Sequence, residues 1–100
     1  MSQVTTHVLD TTAGGPAEGI PVTLESDHGV VARGTTDTDG RVGALGPDRL
    51  EPGTYRLRFD TESLSRFFPE VTIAFTVDSE PHYHVPLLLS SFGYTTYRGS

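Results

Sequence analysis

Hydrophobic and polar residues alternate with a period of two along most of the chain, as they do in β-strands that bury one face. The alternation is clearest over residues 70–78, where the apolar side carries Val71, Ile73, Phe75 and Val77. Residues 54–60 repeat it, with aromatic and aliphatic side chains on one side and Arg56 and Arg58 on the other. Both stretches are predicted to be strands with one buried face and one wetter face.

The same pattern, interrupted by turn residues, predicts further strands elsewhere. They cover residues 3–10, 20–27, 30–36, 82–89 and 94–98, with a short piece at 41–45. Glycine, proline and aspartate separate them, as in Gly14-Gly15-Pro16 and Asp39-Gly40, and favour tight turns. Residues 60–68 are the one predicted helix, because Asp60 or Thr61 could cap its start and Pro69 would stop it.

Seven or eight short strands with turns between them and one short helix predict an all-β fold, a β-sandwich. The chain has 100 residues, which is the size of one domain with a thin core. No linker or internal repeat divides it, so we expect a single domain over residues 1–100.

Composition narrows the function classes. The formal net charge of −6 argues against nucleic acid as a partner, because nucleic-acid binders present a basic face. With no cysteine, neither a disulfide nor a thiolate zinc site can form. No export signal and no apolar run of membrane-spanning length occurs, so we expect no membrane association and a cytoplasmic protein.

Histidine is the side chain best suited to acid–base chemistry near neutral pH, and the chain has four. His28 lies in an Asp-His-Gly turn and is expected to be solvated. His7 shares a strand face with Thr5 and Leu9. His82 and His84 project together, away from the apolar stripe of their own strand. These two mark either a wet outer face or a functional site.

Other chemistry finds weaker support. The pair His82 and His84 resembles half of a metal site, but with no cysteine the remaining ligands would have to be His7 or carboxylates. Asp37-Thr-Asp39-Gly40 lacks the spacing of a calcium loop and is predicted to be a turn. Arg41 follows it, either as an exposed charge or as an anion clamp. A water nucleophile activated by histidine is the simplest hydrolytic mechanism.

Several segments, in order and over essentially the whole chain, resemble one family. They are THVLDTTAGGPAEGIPVTL, TTDTDGRV, SRFFPEV, HYHVPLLLS and the final YRGS. On these motifs the chain resembles the hydroxyisourate hydrolases, the transthyretin-like proteins of purine degradation. The terminal motif is specific, because transthyretin itself, the hormone carrier of the same fold, lacks it.

The resemblance implies a transthyretin-like β-sandwich of two four-stranded sheets with a short helix. It also implies a homotetramer, a dimer of dimers, with active sites in the clefts between dimers. The implied reaction is hydrolysis of the small molecule 5-hydroxyisourate to 2-oxo-4-hydroxy-4-carboxy-5-ureidoimidazoline in urate degradation. The resemblance implies no metal and no organic cofactor.

Motif by motif, the resemblance assigns catalytic roles to His7, Arg41, His84 and Ser100. It assigns substrate binding to Tyr97, Arg98 and Gly99. His82 is the companion histidine of its motif, with a supporting or structural role.

The alternative is a transthyretin-like carrier of a small ligand without catalysis, which would not need this set. An adhesive or structural sandwich domain and a metal-dependent hydrolase are weaker alternatives. Chelation would test the metal-dependent one.

Overall fold

The computed structural model describes residues 2–100 and contains eight β-strands in this part of the chain. They are β1 (Val4–Asp10), β2 (Gly15–Pro16), β3 (Pro21–Ser26), β4 (Gly29–Thr35), β5 (Gly53–Asp60), β6 (Glu70–Val77), β7 (Tyr83–Leu89) and β8 (Tyr94–Thr96). One sheet has the order β2-β1-β7-β8 and the other β4-β3-β5-β6. The predicted sandwich of two four-stranded sheets is confirmed.

The core lies between the two sheets and follows the predicted alternation. On β5 the buried positions are Tyr55, Leu57 and Phe59, and on β7 they are Tyr83, Val85, Leu87 and Leu89. Phe59 and Leu87 are completely buried, and burying such side chains stabilises the fold by roughly 1.5–3 kcal/mol each. Residues between these positions, such as His84, are left on the outer faces of the sheets.

Strands β1 and β7 pair in parallel at the centre of their sheet, although 72 residues (11–82) lie between the end of β1 and the start of β7. Thr5 lies opposite His84 and His7 lies opposite Pro86 in this register. Residues that face each other across neighbouring strands project to the same side of a sheet. The outer face of this sheet therefore brings residues from both ends of the chain together.

The predicted helix over residues 60–68 is wrong. The segment makes one turn, in which the amides of Leu64 and Ser65 donate to the carbonyl of Thr61 at 2.9 and 3.0 Å. The Thr61 hydroxyl then donates to the Phe68 carbonyl at 2.6 Å, which closes the segment as a loop. A single helical turn fixes several dihedral angles for few hydrogen bonds, so side-chain bonds to the backbone prevail here.

Two further local predictions differ from the structure. Residues 41–45 do not form a strand; Arg41 makes only an isolated antiparallel bridge to His7. Gly15–Pro16, predicted as part of a turn, pairs with the end of β1 as the two-residue strand β2. Within residues 2–100, no helix is long and apolar enough to cross a membrane.

Candidate functional site

The turn that delivers Arg41 is fixed by the Asp37 side chain. Its Oδ1 accepts hydrogen bonds from the amides of Asp39 and Arg41 at 2.9 and 3.0 Å. Gly40 has a φ of 78°, and a Cβ there would lie 2.4 Å from the Val8 carbonyl oxygen. Only glycine fits this position, because its backbone passes so close to β1. The predicted turn thus places Arg41 against the free edge of β1.

His7 is held at the same edge. Its Nε2 lies 2.7 Å from the backbone carbonyl oxygen of Asp39, and its backbone bridges that of Arg41. A carbonyl oxygen can only accept, so Nε2 carries the hydrogen and donates it. The second ring nitrogen, Nδ1, is left as the atom of His7 with a free acid–base capacity.

The Thr5 hydroxyl lies within hydrogen-bond distance of two histidines, His84 on β7 and His82 just before it. It lies 2.8 Å from Nδ1 of His84 and 2.9 Å from Nε2 of His82. The two imidazole rings are nearly parallel, 20° apart in plane, with centroids 6.4 Å apart. Because Nδ1 of His84 is taken by Thr5, Nε2 is the nitrogen of His84 that can act on a ligand.

The C-terminal segment closes the other side of His84. The Gly99 amide donates to the His84 carbonyl at 2.8 Å, which continues the β7–β8 pairing beyond the end of β8. A Cβ at Gly99 would lie 2.5 Å from Cδ2 of the His84 ring. Glycine is required at this position by the close approach of the imidazole, and it brings Ser100 beside the histidines.

These groups surround a depression of about 350 Å³ on the outer face of the sheet. It is lined by Thr5, Thr6, Arg41, Val42, His82, His84 and Ser100. Three of the four residues predicted to be catalytic, Arg41, His84 and Ser100, are therefore together. The fourth, His7, is joined to Arg41 by the backbone bridge described above.

The surroundings of His84 favour its neutral form. Partial burial is the largest influence and lowers the pKa of His84 below the ordinary value of 6.5. The charge of Arg41 lowers it further, followed by His82 and His7, while a backbone hydrogen bond at Thr5 acts in the opposite direction. A neutral imidazole near neutral pH has a lone pair with which to accept a proton.

Tyr97 and Arg98, predicted to bind substrate, lie outside this depression. They line a separate one of about 210 Å³ together with Phe75, Thr76, Tyr83 and Val85. The Arg98 guanidinium stacks on the Tyr83 ring at 4.9 Å, and it lies 3.9 Å from the Glu80 carboxylate. In the single chain these contacts anchor the C-terminal segment rather than face the histidines.

Thr5 is the residue of the site that sequence reasoning missed. Its position on the same face as His7 was visible in the alternation. What could not be seen was the parallel pairing of β1 with β7, which places Thr5 opposite His84.

Among the described residues 2–100, no three His, Cys, Asp or Glu side chains form a group that could hold a metal ion.

Comparison with known families matches residues 4–99 to a model described as the HIUase/Transthyretin family. A 5-hydroxyisourate hydrolase of Mus musculus is 43% identical over 113 aligned positions, covering 99% of this chain and 96% of the relative. A 5-hydroxyisourate hydrolase of Salmonella dublin is 46% identical, covering 94% of this chain and 78% of the relative.

Comparison with solved structures finds both a 5-hydroxyisourate hydrolase and transthyretins. The structure of Klebsiella pneumoniae 5-hydroxyisourate hydrolase superposes with a TM-score of 0.89 at 33% identity and covers all of both chains. Sea bream transthyretin in complex with thyroxine superposes with a TM-score of 0.85 at 28% identity, over 97% of this chain and 94% of the other. A single fold thus includes relatives named for hydrolysis and a relative solved in complex with thyroxine.

Proposed function

Because the chain belongs to the HIUase/Transthyretin family, we propose that it is an enzyme that hydrolyses 5-hydroxyisourate. The product is 2-oxo-4-hydroxy-4-carboxy-5-ureidoimidazoline, and the pathway is urate degradation. The observation that carries the proposal is the depression in which Arg41, His84 and Ser100 meet, with His7 beside them. A carrier has no need of a histidine with an available nitrogen next to an arginine.

His84 supplies the base in this proposal. Its Nε2 takes a proton from a water molecule, and the water oxygen attacks the ring carbonyl carbon of the substrate. The carbon–nitrogen bond of the ring then breaks, and the leaving nitrogen receives a proton. Such acid–base assistance contributes roughly 10²–10⁴ in rate. Support comes from the lowered pKa of His84 and from the engagement of its other nitrogen by Thr5.

His7 orients the water through the lone pair of Nδ1, or delivers to the leaving nitrogen a proton that Nδ1 has first taken up from solvent. Its Nε2–H is held by the Asp39 carbonyl, so the ring is fixed and only Nδ1 can exchange a proton with the reaction. The backbone bridge to Arg41 keeps residues 7 and 41 opposite each other along β1. Each imidazole thus has one free nitrogen: Nε2 of His84 removes a proton from water, and the leaving nitrogen receives either that proton or one held on Nδ1 of His7.

Arg41 binds the substrate and stabilises the charge that develops on the attacked carbonyl oxygen. A guanidinium offers several N–H donors in one plane, which matches a flat and readily ionised heterocycle. Donors placed before the reaction stabilise the transition state because they need no reorganisation. The side chain is exposed at the rim of the depression, within reach of a bound ligand.

The C-terminal residues complete the site. Ser100 is proposed to hold the water or the substrate by its polar atoms, since it lines the depression. Gly99 carries the segment past the His84 ring. Substrate binding by Tyr97, Arg98 and Gly99 stays a prediction; the contacts of Arg98 with Tyr83 and Glu80 also favour a role in holding the segment.

The second candidate is a small-ligand carrier, which the likeness to transthyretin in complex with thyroxine favours. The two differ in one observable, turnover. Urate oxidase acting on urate would generate 5-hydroxyisourate in the cuvette, and its ultraviolet decay would be followed with and without the protein. We expect decay faster than the spontaneous reaction and proportional to protein concentration. Added chelator should leave the rate unchanged, because no step uses a metal.

His84→Ala should lower the catalysed rate by roughly 10²–10⁴ through loss of the base. His28→Ala is the matched control, because His28 is exposed in the β3–β4 turn, and it should keep full activity. If 5-hydroxyisourate decays only at the spontaneous rate in the presence of well-folded wild-type protein, the carrier function would be favoured. Full turnover by His84→Ala would remove His84 from the mechanism while leaving the hydrolase in place.

The proposal includes assembly as a homotetramer, a dimer of dimers, with sites in clefts between dimers. Exposed apolar side chains support it, since Phe67, Phe92 and Tyr97 are 65%, 76% and 57% exposed in the single chain.

The cytoplasmic location predicted from the sequence also belongs to the proposal. Fractionation of cells that express the protein would test it.

A further inference from the structure

We propose that Thr5 is a positioning residue of this site, whose hydroxyl accepts the Nδ1–H of His84, donates to Nε2 of His82, and so keeps the lone pair of His84 on Nε2. The inference rests on the proposed hydrolysis and deepens it. It assigns a direction to the Thr5 hydrogen bond and a role to His82, which the proposed mechanism does not otherwise use.

The position of the hydroxyl follows from strand pairing. Thr5 lies directly opposite His84 in the parallel β1–β7 register, so both side chains stand on the outer face at neighbouring positions. Thr5 Oγ1 is 2.8 Å from Nδ1 of His84 and 2.9 Å from Nε2 of His82. A β-branched side chain on a strand has a restricted χ1, so the hydroxyl is placed between the rings with little loss of entropy.

The direction of the hydrogen bonds decides which nitrogen of His84 is free to accept a proton. A hydroxyl has one hydrogen and two lone pairs, and a neutral imidazole has one N–H and one acceptor nitrogen. If Thr5 accepts from Nδ1–H of His84, the lone pair of that ring is on Nε2. The Thr5 hydrogen then points to Nε2 of His82, whose lone pair receives it. The opposite direction would leave His84 with Nε2–H and no base.

The same bond also helps during the reaction. When Nε2 of His84 takes the proton from water, the ring becomes an imidazolium with two N–H groups. The Thr5 oxygen still accepts from Nδ1–H, and hydrogen bonds from charged donors are roughly twice as strong as neutral ones. The charge that forms on His84 is therefore stabilised, while the ring keeps its orientation. Removing a partner that fixes the tautomer and orientation of a working histidine costs roughly 10- to 100-fold in metal sites, and we expect the same scale here.

The test compares three variants. Thr5→Val keeps the branched shape and removes the hydroxyl, and we expect kcat to fall about 10- to 100-fold with little change in KM. Thr5→Ser restores the hydroxyl and should recover most of kcat. Thr54→Val is the matched control, because Thr54 is exposed on β5 in the other sheet and should behave as wild type. Equal kcat in Thr5→Val and wild type would overturn the proposal.

A second readout does not depend on activity. Nitrogen-15 NMR of the imidazole side chains shows which nitrogen of His84 carries the hydrogen. We expect Nδ1–H in the wild type and in Thr5→Ser, and a shift toward Nε2–H in Thr5→Val. A wild-type His84 with Nε2–H, or a tautomer unchanged by Thr5→Val, would contradict the proposal. If wild-type protein hydrolyses nothing but shows the expected tautomers, the proposed function fails while the hydrogen-bond assignment stands.

Discussion

At the scale of single residues, the electrostatic surroundings of His84 are the most informative feature of the site. The ring is partly buried, and the charge of Arg41 acts on it. Both lower the pKa of His84, because a protonated ring would lose solvation and be repelled by the guanidinium. At a given pH near 6.5, more of His84 is therefore neutral than of an exposed histidine, as its proposed role as base requires.

This lowered pKa predicts a pH dependence of activity. The acid limb of the kcat/KM profile should lie below pH 6.5, the ordinary value for histidine, because His84 keeps its lone pair there. Titration of the His84 ring by NMR, beside the activity profile, would measure both. Arg41→Gln removes the second-largest influence and should raise the pKa of His84 toward 6.5. A wild-type ring titrating at or above 6.5 would contradict the prediction.

The lowered pKa of His84 also makes the free energy of unfolding depend on pH. Above pH 6.5 the ring is neutral in the folded and unfolded chain, so it contributes no pH dependence to the free energy of unfolding. Below 6.5 the unfolded chain takes up the proton first, because the folded-state pKa is lower. The contribution of His84 therefore lowers stability as the pH falls from 6.5 through the folded-state pKa.

At the scale of elements, the C-terminal segment is an ordered part of the sheet. β8 pairs with β7, and Gly99 extends the pairing to His84. Ion pairing between Arg98 and Glu80 adds little, since both side chains are 57% exposed. The stacking of Arg98 on Tyr83 is worth roughly 0.5–1 kcal/mol at an exposed site. The segment is thus held by backbone pairing with modest help from side chains.

Gly99→Ala should reduce activity far more than stability. The added Cβ would lie 2.5 Å from Cδ2 of His84, so the ring or the segment must move. A displacement of about 1 Å at a working group can cost roughly 100-fold in rate. Thermal unfolding should change little, because the residue lies at the end of the pairing and not in the core. The assay of 5-hydroxyisourate decay with a melting curve would measure both.

Gly93→Ala is the matched control on the same hairpin. A Cβ there meets only the Ser90 Oγ at 3.6 Å, which is an ordinary contact. We expect it to keep wild-type activity. Wild-type activity in Gly99→Ala as well would show that the close approach to His84 does not matter for turnover.

At the scale of the whole molecule, the single chain leaves sheet edges and aromatic rings exposed. β6 and β8 are edge strands, one in each sheet, and present unpaired backbone groups. The aromatic rings of Phe67, Phe68, Phe92 and Tyr94 contact each other at centroid distances of 4.9–6.3 Å. Phe92 is 76% exposed within this cluster. Exposed edges and aromatic patches of this kind are suited to contacts with another protein surface, which supports the proposed assembly.

The proposed homotetramer predicts a mass four times that of the 10.8 kDa chain. Size-exclusion chromatography with light scattering at the concentration of the assay would measure it. Specific activity should fall on dilution below the concentration at which the tetramer dissociates, because the sites are proposed to lie between dimers. Full activity of a species with the mass of one chain would contradict the assembly.

Sequence periodicity determined the strands and their faces. Val71 and Leu57 are buried, and His84 is on the outer face, because side chains on a strand alternate whatever the strand pairs with. The turn before Arg41 was also readable, since Asp39-Gly40 specifies local backbone geometry. The helix predicted at residues 60–68 failed because Thr61 and Ser65 bond to the local backbone instead.

The motif resemblance predicted which residues are catalytic, but only the tertiary structure decided which of them lie together in space. Strand pairing joins residues far apart in sequence, and no local pattern encodes its partner or register. The parallel β1–β7 pairing sets Thr5 against His84, and the Gly99 bridge brings Ser100 to the same ring. The sequence by itself thus determined which faces are polar, while long-range pairing decided which polar groups share a site.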